Sequence, residues 1–243
     1  MLIGTYAPSL WQTPLDAWST VGTLVVVLLI TCVKEGLEDI QRYKSDTADN
    51  VAMVTVVNFE GGKLMEHRIE KQYIKAGDII KLEGKCQVPA DLVLVLTSNY
   101  MDGNQCYIET SNIDGETNLK LREAPTQLMG LVRHISAGHP PTREIFQGHL
   151  EFEAPNKNIH NFVGALHIDA VPGEPMPLST DNLLLRSSLF SNTDWAYGIA
   201  VYVGKETKVQ MNNRHAHSKI GRLEQYLNDA IILIFIAQFT LVT

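Results

Sequence analysis

The stretch that decides the fold is Val51–Ile69, VAMVTVVNFEGGKLMEHRI. Two runs with a period of two, VAMVTVVNF and LMEHRI, flank Glu60-Gly61-Gly62-Lys63. A Gly-Gly pair between such runs reads as a β-hairpin, because glycine supplies the positive φ that a two-residue turn needs. Downstream the same grammar continues. IKAGDIIKLEG carries a turn at Ala76-Gly77-Asp78, QVPADLVLVLTS places Pro89 ahead of a strand from Asp91 to Ser98, and QCYIETSN gives a short strand. Ala124–Pro155, with Gly138, Pro140, Pro141 and Gly148, reads as a loop-rich insertion. Strand-like runs return at His149–Glu153, Phe162–Ile168, Leu183–Leu189 and Trp195–Tyr202. Many short strands separated by turns predict a mainly β domain over residues 45–217, a sandwich or distorted jelly roll.

Upstream the period changes. Val33, Leu37, Ile40 and Tyr43 recur at helical spacing, and Ser45–Asn50 is expected to break that helix with polar residues. Ser19–Val33 carries no charge, and neither does Ala230–Thr243. A membrane-spanning helix needs about 20 apolar residues. The first segment reaches that only with Pro14–Trp18, Trp11 and Trp18 being the interfacial anchors, and the second falls short. All 20 Lys and Arg lie between Lys34 and Arg222, which assigns the middle of the chain to the cytoplasm. The plan is an exoplasmic loop at residues 1–18, a membrane helix and stalk at 19–44, the β domain, then a stalk and the start of a further membrane helix, cut short, at 218–243. The competing reading makes both apolar segments buried helices of a soluble protein. A net charge of -7 without a basic run excludes a nucleic-acid partner. Three scattered cysteines exclude a disulfide framework or zinc site, and His215-x-His217 has no third ligand nearby.

One stretch carries chemistry: SNIDGETNLK, Ser111–Lys120. Taken alone, Asp114-Gly115 is a common turn and Glu116 a solvated carboxylate upon it. A calcium loop fails for want of its acidic spacing, and a glycosidase pair lacks a sugar groove. The surroundings weigh differently. KAGDIIKLEGKCQVPADLVLVLTS followed by CYIETSNIDGETNLKLREA resembles the actuator domain of P-type ATPases. DGETN in place of TGES is the form of the P4 branch, the phospholipid flippases. VKEGLEDIQRYKSD resembles that branch's second membrane helix and stalk. LLLRSSLFSNTDWAYGIAVYVGKETKVQMN resembles the segment after the actuator loop, and SKIGRLEQYLN the approach to the third membrane helix.

The resemblance implies a role for each loop residue. Glu116 positions a water and accepts its proton as an aspartyl-phosphate on another domain is hydrolysed. Gly115, without a Cβ, lets the loop approach a phosphate. Thr117 and Asn118 hydrogen-bond the loop or the water, and Asp114 holds the turn, with turn formation alone the competing role for Asp114 and Asn118. It also implies ATP and Mg2+ bound by the rest of the enzyme, with no metal in this chain. The implied partners are the phosphorylation, nucleotide-binding and membrane domains, a membrane phospholipid and, in many members, a small two-span accessory glycoprotein. The phosphorylated Asp-Lys-Thr-Gly motif does not occur here. The chain is therefore expected to be a fragment, inactive by itself; the alternative is a complete but degenerate product. Ser187-Ser188 replaces the common Gly-Ser or Gly-Cys, and only Gln12 stands where a glutamine pair is implicated in choosing the headgroup, so the resemblance assigns no particular lipid. A second functional class also fits: a non-catalytic, membrane-tethered regulatory module of flippase-like origin fused to another enzyme.

Overall fold

The structure, a computed structural model, describes residues 17–132, 141–171 and 173–213, with isolated helical positions between 226 and 236. The expected exoplasmic loop with Trp11 and Gln12, the pair His215-x-His217, and most of the second stalk and apolar segment lie outside the described residues. The chain divides into two compact units, Met1–Asp46 with His217–Thr243, and Thr47–Ala216.

In the first unit, helix α1 begins at Ala17, and the helix as a whole runs to Val51. Val25, Val26, Leu28, Leu29, Ile30 and Val33 stand exposed along it. Among the described residues no helix is long and apolar enough to cross a membrane. Lys34 and Glu38 pair across one turn at 3.5 Å, a contact of a few tenths of a kcal/mol, about 0.3–0.5.

The expected break at Ser45–Asn50 does not occur. No glycine or proline interrupts that stretch, so propensity alone does not end the helix. Its last turn is also held from outside the helix. Asp49 faces the negative end of the helix dipole, an unfavourable place for an acid. Its carboxylate takes Lys71 Nζ at 2.7 Å and Arg186 Nη2 at 3.3 Å. Burial raises the Asp49 carboxyl, but the two cations outweigh that and hold it below its ordinary value.

The second unit is mainly β, with every strand pairing antiparallel. Its strands are β1 (Met53–Glu60), β2 (Lys63–Glu70), β3 (Ile79–Glu83), β4 (Cys86–Gln87), β5 (Asp91–Thr97), β6 (Gln105–Glu109), β7 (Leu119–Glu123), β8 (Gly148–Phe152), β9 (Gly164–Ile168), β10 (Met176–Leu178), β11 (Leu183–Leu184), β12 (Leu189–Ser191) and β13 (Trp195–Tyr202). They form a six-stranded sheet β11-β5-β13-β3-β1-β2, a three-stranded sheet β10-β9-β8 and a four-stranded sheet β4-β12-β6-β7. The β1–β2 hairpin turns through Gly61 (φ +58°) and Gly62 (φ +80°), the two positive angles that a type I′ turn demands.

Strand β5 is buried at every position, and its alternation explains the layers. Leu92 and Leu94 pack with Cys106, Ile108 and Phe190 of the four-stranded sheet. Val93 and Val95 point the other way, into a core with Leu166, Ile168, Met176 and Leu178 of the three-stranded sheet. The six-stranded sheet thus has a core on each face, as a sandwich requires. Each fully buried Leu or Val in these cores contributes about 1.5–3 kcal/mol.

A bulge interrupts the alternation. Tyr197 opposes Leu96 while Gly198 opposes Leu94, so Val95 is the extra residue and Leu96 joins the same core as Val95. Buried Asn104 repairs the ladder: it accepts the Thr97 N–H at 2.8 Å and donates to Val95 O at 2.9 Å. Opposite this, a Cβ on Gly198 would sit 2.9 Å from Leu92 Cβ, which is why a glycine occupies the middle of β13.

Two readings of the chain are corrected here. The run Leu183–Leu189 is not one strand: β11 joins the six-stranded sheet and β12 the four-stranded one. Between them Ser187 takes φ +70°, and Ser188 Oγ donates to Leu185 O at 2.6 Å. The insertion after Ala124 is irregular in part but contains the short helix α3 (Met129–Val132), while β8 falls where the strand-like run His149–Glu153 was expected.

Candidate functional site

Strands β6 and β7 form an antiparallel pair whose last register match is Glu109 with Leu119. The nine residues that close this pair, 110–118, contain the motif. Ser111–Asp114 makes a single helical turn, α2, with Ile113 tucked against the core. Gly115 ends the turn at φ +78°, ψ 2°, and its N–H returns to Ser111 O at 3.1 Å. A side chain there would be strained by about 1–2 kcal/mol. The space around it is open, with nothing within 4 Å of an added Cβ.

Asp114 organises the loop. Its Oδ1 accepts the Glu116 N–H at 3.0 Å, and both its oxygens accept the Thr110 hydroxyl, at 2.9 and 3.1 Å. Its Oδ2 takes Lys120 Nζ at 2.6 Å. The Lys120 hydrogen bond, with the Glu116 N–H and Thr110 assisting against slight desolvation, brings the Asp114 carboxyl down to about 2.

Glu116 follows Gly115 with half of its side chain exposed, and its Oε2 lies 2.9 Å from Lys120 Nζ. Thr117 and Asn118 are exposed and make no side-chain hydrogen bond to the described residues. Asp114, Gly115, Glu116, Thr117 and Asn118 therefore share one outward-facing loop. Such a loop can offer a carboxylate, beside a residue without a Cβ, to a reacting centre on another body. Lys120 is the participant that the motif reading left without a role. Its spacing gave no signal, because an i,i+4 pair meets on a helix and Lys120 lies on strand β7. Among the described residues no group of three His, Cys, Asp or Glu could hold a metal ion.

A second ionic centre lies in the core. Asp91 accepts the backbone N–H of Arg186 and of Lys208, both at 2.7 Å. Burial pushes its carboxyl up to about 6 against these hydrogen bonds and the more distant cations. Lys208 begins helix α4 (Lys208–Asn213). Its fully buried ammonium meets Glu153 Oε1 at 2.9 Å and Asn156 Oδ1 at 2.8 Å, beneath the rings of Phe162 and Tyr202. Asp91 and the Lys208 ammonium are buried while Glu153 and Asn156 are partly exposed, and the contacts tie the insertion to the sandwich.

No family model matches the chain. It is 36% identical over 225 residues to a phospholipid-transporting ATPase of Schizosaccharomyces pombe, covering 91% of this chain and 17% of that protein. It is 38% identical over 228 residues to probable phospholipid-transporting ATPase 12 of Arabidopsis thaliana, covering 94% of this chain and 18% of that protein. Phospholipid-transporting ATPase 1 of the same plant is 35% identical over 220 residues, 90% of this chain and 18% of its own length. The chain thus spans less than a fifth of the length of the curated relatives it matches. Ordered motifs, an antiparallel β architecture and similarity along nine-tenths of its length together make this chain a segment belonging to the phospholipid-transporting, P4-type ATPase family.

Proposed function

We propose that this chain is the actuator portion of an ATP-driven phospholipid translocator, in which Glu116 drives dephosphorylation. The observation that carries the reading is the exposure of Glu116 on a loop that is itself pinned, through Asp114, to Thr110 and β7. The substrate of the step is an aspartyl-phosphate on another domain. Glu116 orients a water in line with the phosphorus and takes one of its protons. The water oxygen bonds to phosphorus, the phosphorus–oxygen bond to the aspartyl group breaks, and the aspartate leaves with the electron pair. Inorganic phosphate and a free carboxylate result. Gly115 keeps a Cβ out of the space that the phosphoryl group enters.

In this reading ATP and Mg2+ bind the phosphorylation and nucleotide-binding domains, which lie outside this chain. The exposed apolar residues between Val25 and Val33 support burial of that part of α1 in lipid, with residues from about 34 to 229 cytoplasmic. Phosphate release frees the domain to move, and the stalk at Lys34–Lys44 carries that motion to the lipid path. A phospholipid is the cargo, and a two-span accessory subunit is a further partner.

The test uses a phospholipid-transporting ATPase carrying this chain. Glu116→Gln is expected to leave phosphorylation by ATP intact and to slow phosphoenzyme decay about 100-fold or more, the low end of a general base's contribution. Lipid transport stops with it. Decay at the unmodified rate rules the reading out.

A further inference from the structure

We infer that Lys120 is a positioning residue for this dephosphorylation step: its ammonium aims the Glu116 carboxylate and places one positive charge where the phosphoryl group arrives. The inference rests on the role proposed above for Glu116. Lys120 belongs to β7, where it lies opposite Ile108 of β6, so the strand ladder fixes its backbone while Glu116 sits on the loop. Its Nζ lies 2.6 Å from Asp114 Oδ2 and 2.9 Å from Glu116 Oε2. Asp114 is in turn held by the Thr110 hydroxyl and the Glu116 N–H. A chain of contacts therefore runs from Thr110 through Asp114 and Lys120 to the working carboxylate.

Charge supplies the second argument. Asp114 and Glu116 bring two negative charges to a loop that must approach a phosphoryl dianion. Opposition between them falls when a cation sits among them, the more so as docking excludes water and lowers the local dielectric. Lys120 is placed for this. An ammonium has three N–H donors, and Asp114 and Glu116 take two. No other described residue takes the third, which leaves it for the water or a phosphoryl oxygen.

The neighbouring charges do not substitute. Arg122, two residues along β7, is directed to Asp181 at 3.5 Å and to Leu121 O at 3.3 Å. Glu109, at the end of β6, accepts the Ser111 hydroxyl at 2.6 Å. Thr117 and Asn118 carry no charge and make no side-chain hydrogen bond to either carboxylate.

The experiment follows phosphoenzyme decay in a phospholipid-transporting ATPase carrying this chain, with Lys120→Gln, Lys120→Arg and Glu116→Gln. Lys120→Gln is expected to slow decay about 10-fold. Lys120→Arg, which keeps the charge, is expected to return the rate to within about threefold. If Glu116→Gln stalls decay while Lys120→Gln keeps the unmodified rate, or if Lys120→Arg is as slow as Lys120→Gln, the inference fails and the role of Glu116 stands. If Glu116→Gln has no effect, both fall. Should Lys120→Gln not accumulate, Lys120→Met is read in its place against Lys120→Arg, with the same outcomes deciding the matter.

Discussion

Asp91 and Asp114 are the same side chain put to opposite uses. Asp91 is sealed in the core, accepts two backbone N–H groups, and has its carboxyl pushed up to about 6 by burial. Asp114 stands at the edge of the sandwich, meets Lys120 at 2.6 Å, and has its carboxyl drawn down to about 2. Desolvation wins where there is no water and no cation in contact; a contacting cation wins where solvation is kept. The first arrangement joins Arg186, α4 and β5 into one body. The second leaves a charged loop ready to meet something outside that body.

The comparison can be broken most severely at the buried site. Asp91→Leu strands two buried N–H groups and is expected to destabilise the folded chain by about 2–5 kcal/mol, read from the denaturant midpoint by circular dichroism. A loss under 1 kcal/mol would show that water reaches those donors. Asp114→Ala, by contrast, removes a part-buried bond from Thr110 and more exposed ones from Glu116 and Lys120, and is expected to cost about 1 kcal/mol.

A pH series sharpens the contrast because the two acids act with opposite sign. For Asp91 the folded value lies above the ordinary 3.8, so the folded state binds its proton more tightly. Its contribution is complete below 3.8 and is lost as pH rises through about 6. For Asp114 the folded value lies below 3.8, so its contribution is present above 3.8 and is lost as pH falls through about 2. Asp91→Asn should therefore flatten the decline in stability between about pH 4 and 6, and Asp114→Asn the decline between about pH 4 and 2. Midpoints measured for all three chains across both windows check the signs; a variant that flattens the wrong window refutes its assignment.

The smaller effects lie on the loop. Gly115→Ala is expected to cost about 1–2 kcal/mol through its left-handed backbone alone, since the added methyl meets open space. Glu116→Gln is expected to change the midpoint by less than about 0.5 kcal/mol, because its pair with Lys120 is exposed. A large stability change in Glu116→Gln would mean that Glu116 holds the loop together and does not simply project from it.

How much of this was legible beforehand varied with the range of the interaction. The β1–β2 hairpin was plain because Gly61-Gly62 carries its own turn geometry, and β5 was plain from its unbroken apolar run. The motif was legible as an ordered set of residues from Asp114 to Asn118. Strands β4, β7 and β10 were not legible, being short and holding their place only through partners elsewhere. Leu183–Leu189 looked like one strand because nothing within it records that its halves join different sheets. The polar stretch Ser45–Asn50 looked like a helix end, since Lys71 and Arg186 stand 22 and 137 residues from Asp49 along the chain.

The division follows from physics. Turn chemistry, apolar period and the spacing of Asp114, Gly115 and Glu116 depend on residues that are neighbours along the chain, and local sterics and burial preference express them directly. Pairings such as Asn104 with the β5 bulge, Asp91 with Lys208 and Asp49 with Arg186 exist only after distant segments have closed. Even Lys120, four residues from Glu116, reaches both carboxylates only because β6 and β7 pair to bring the loop back over the strand.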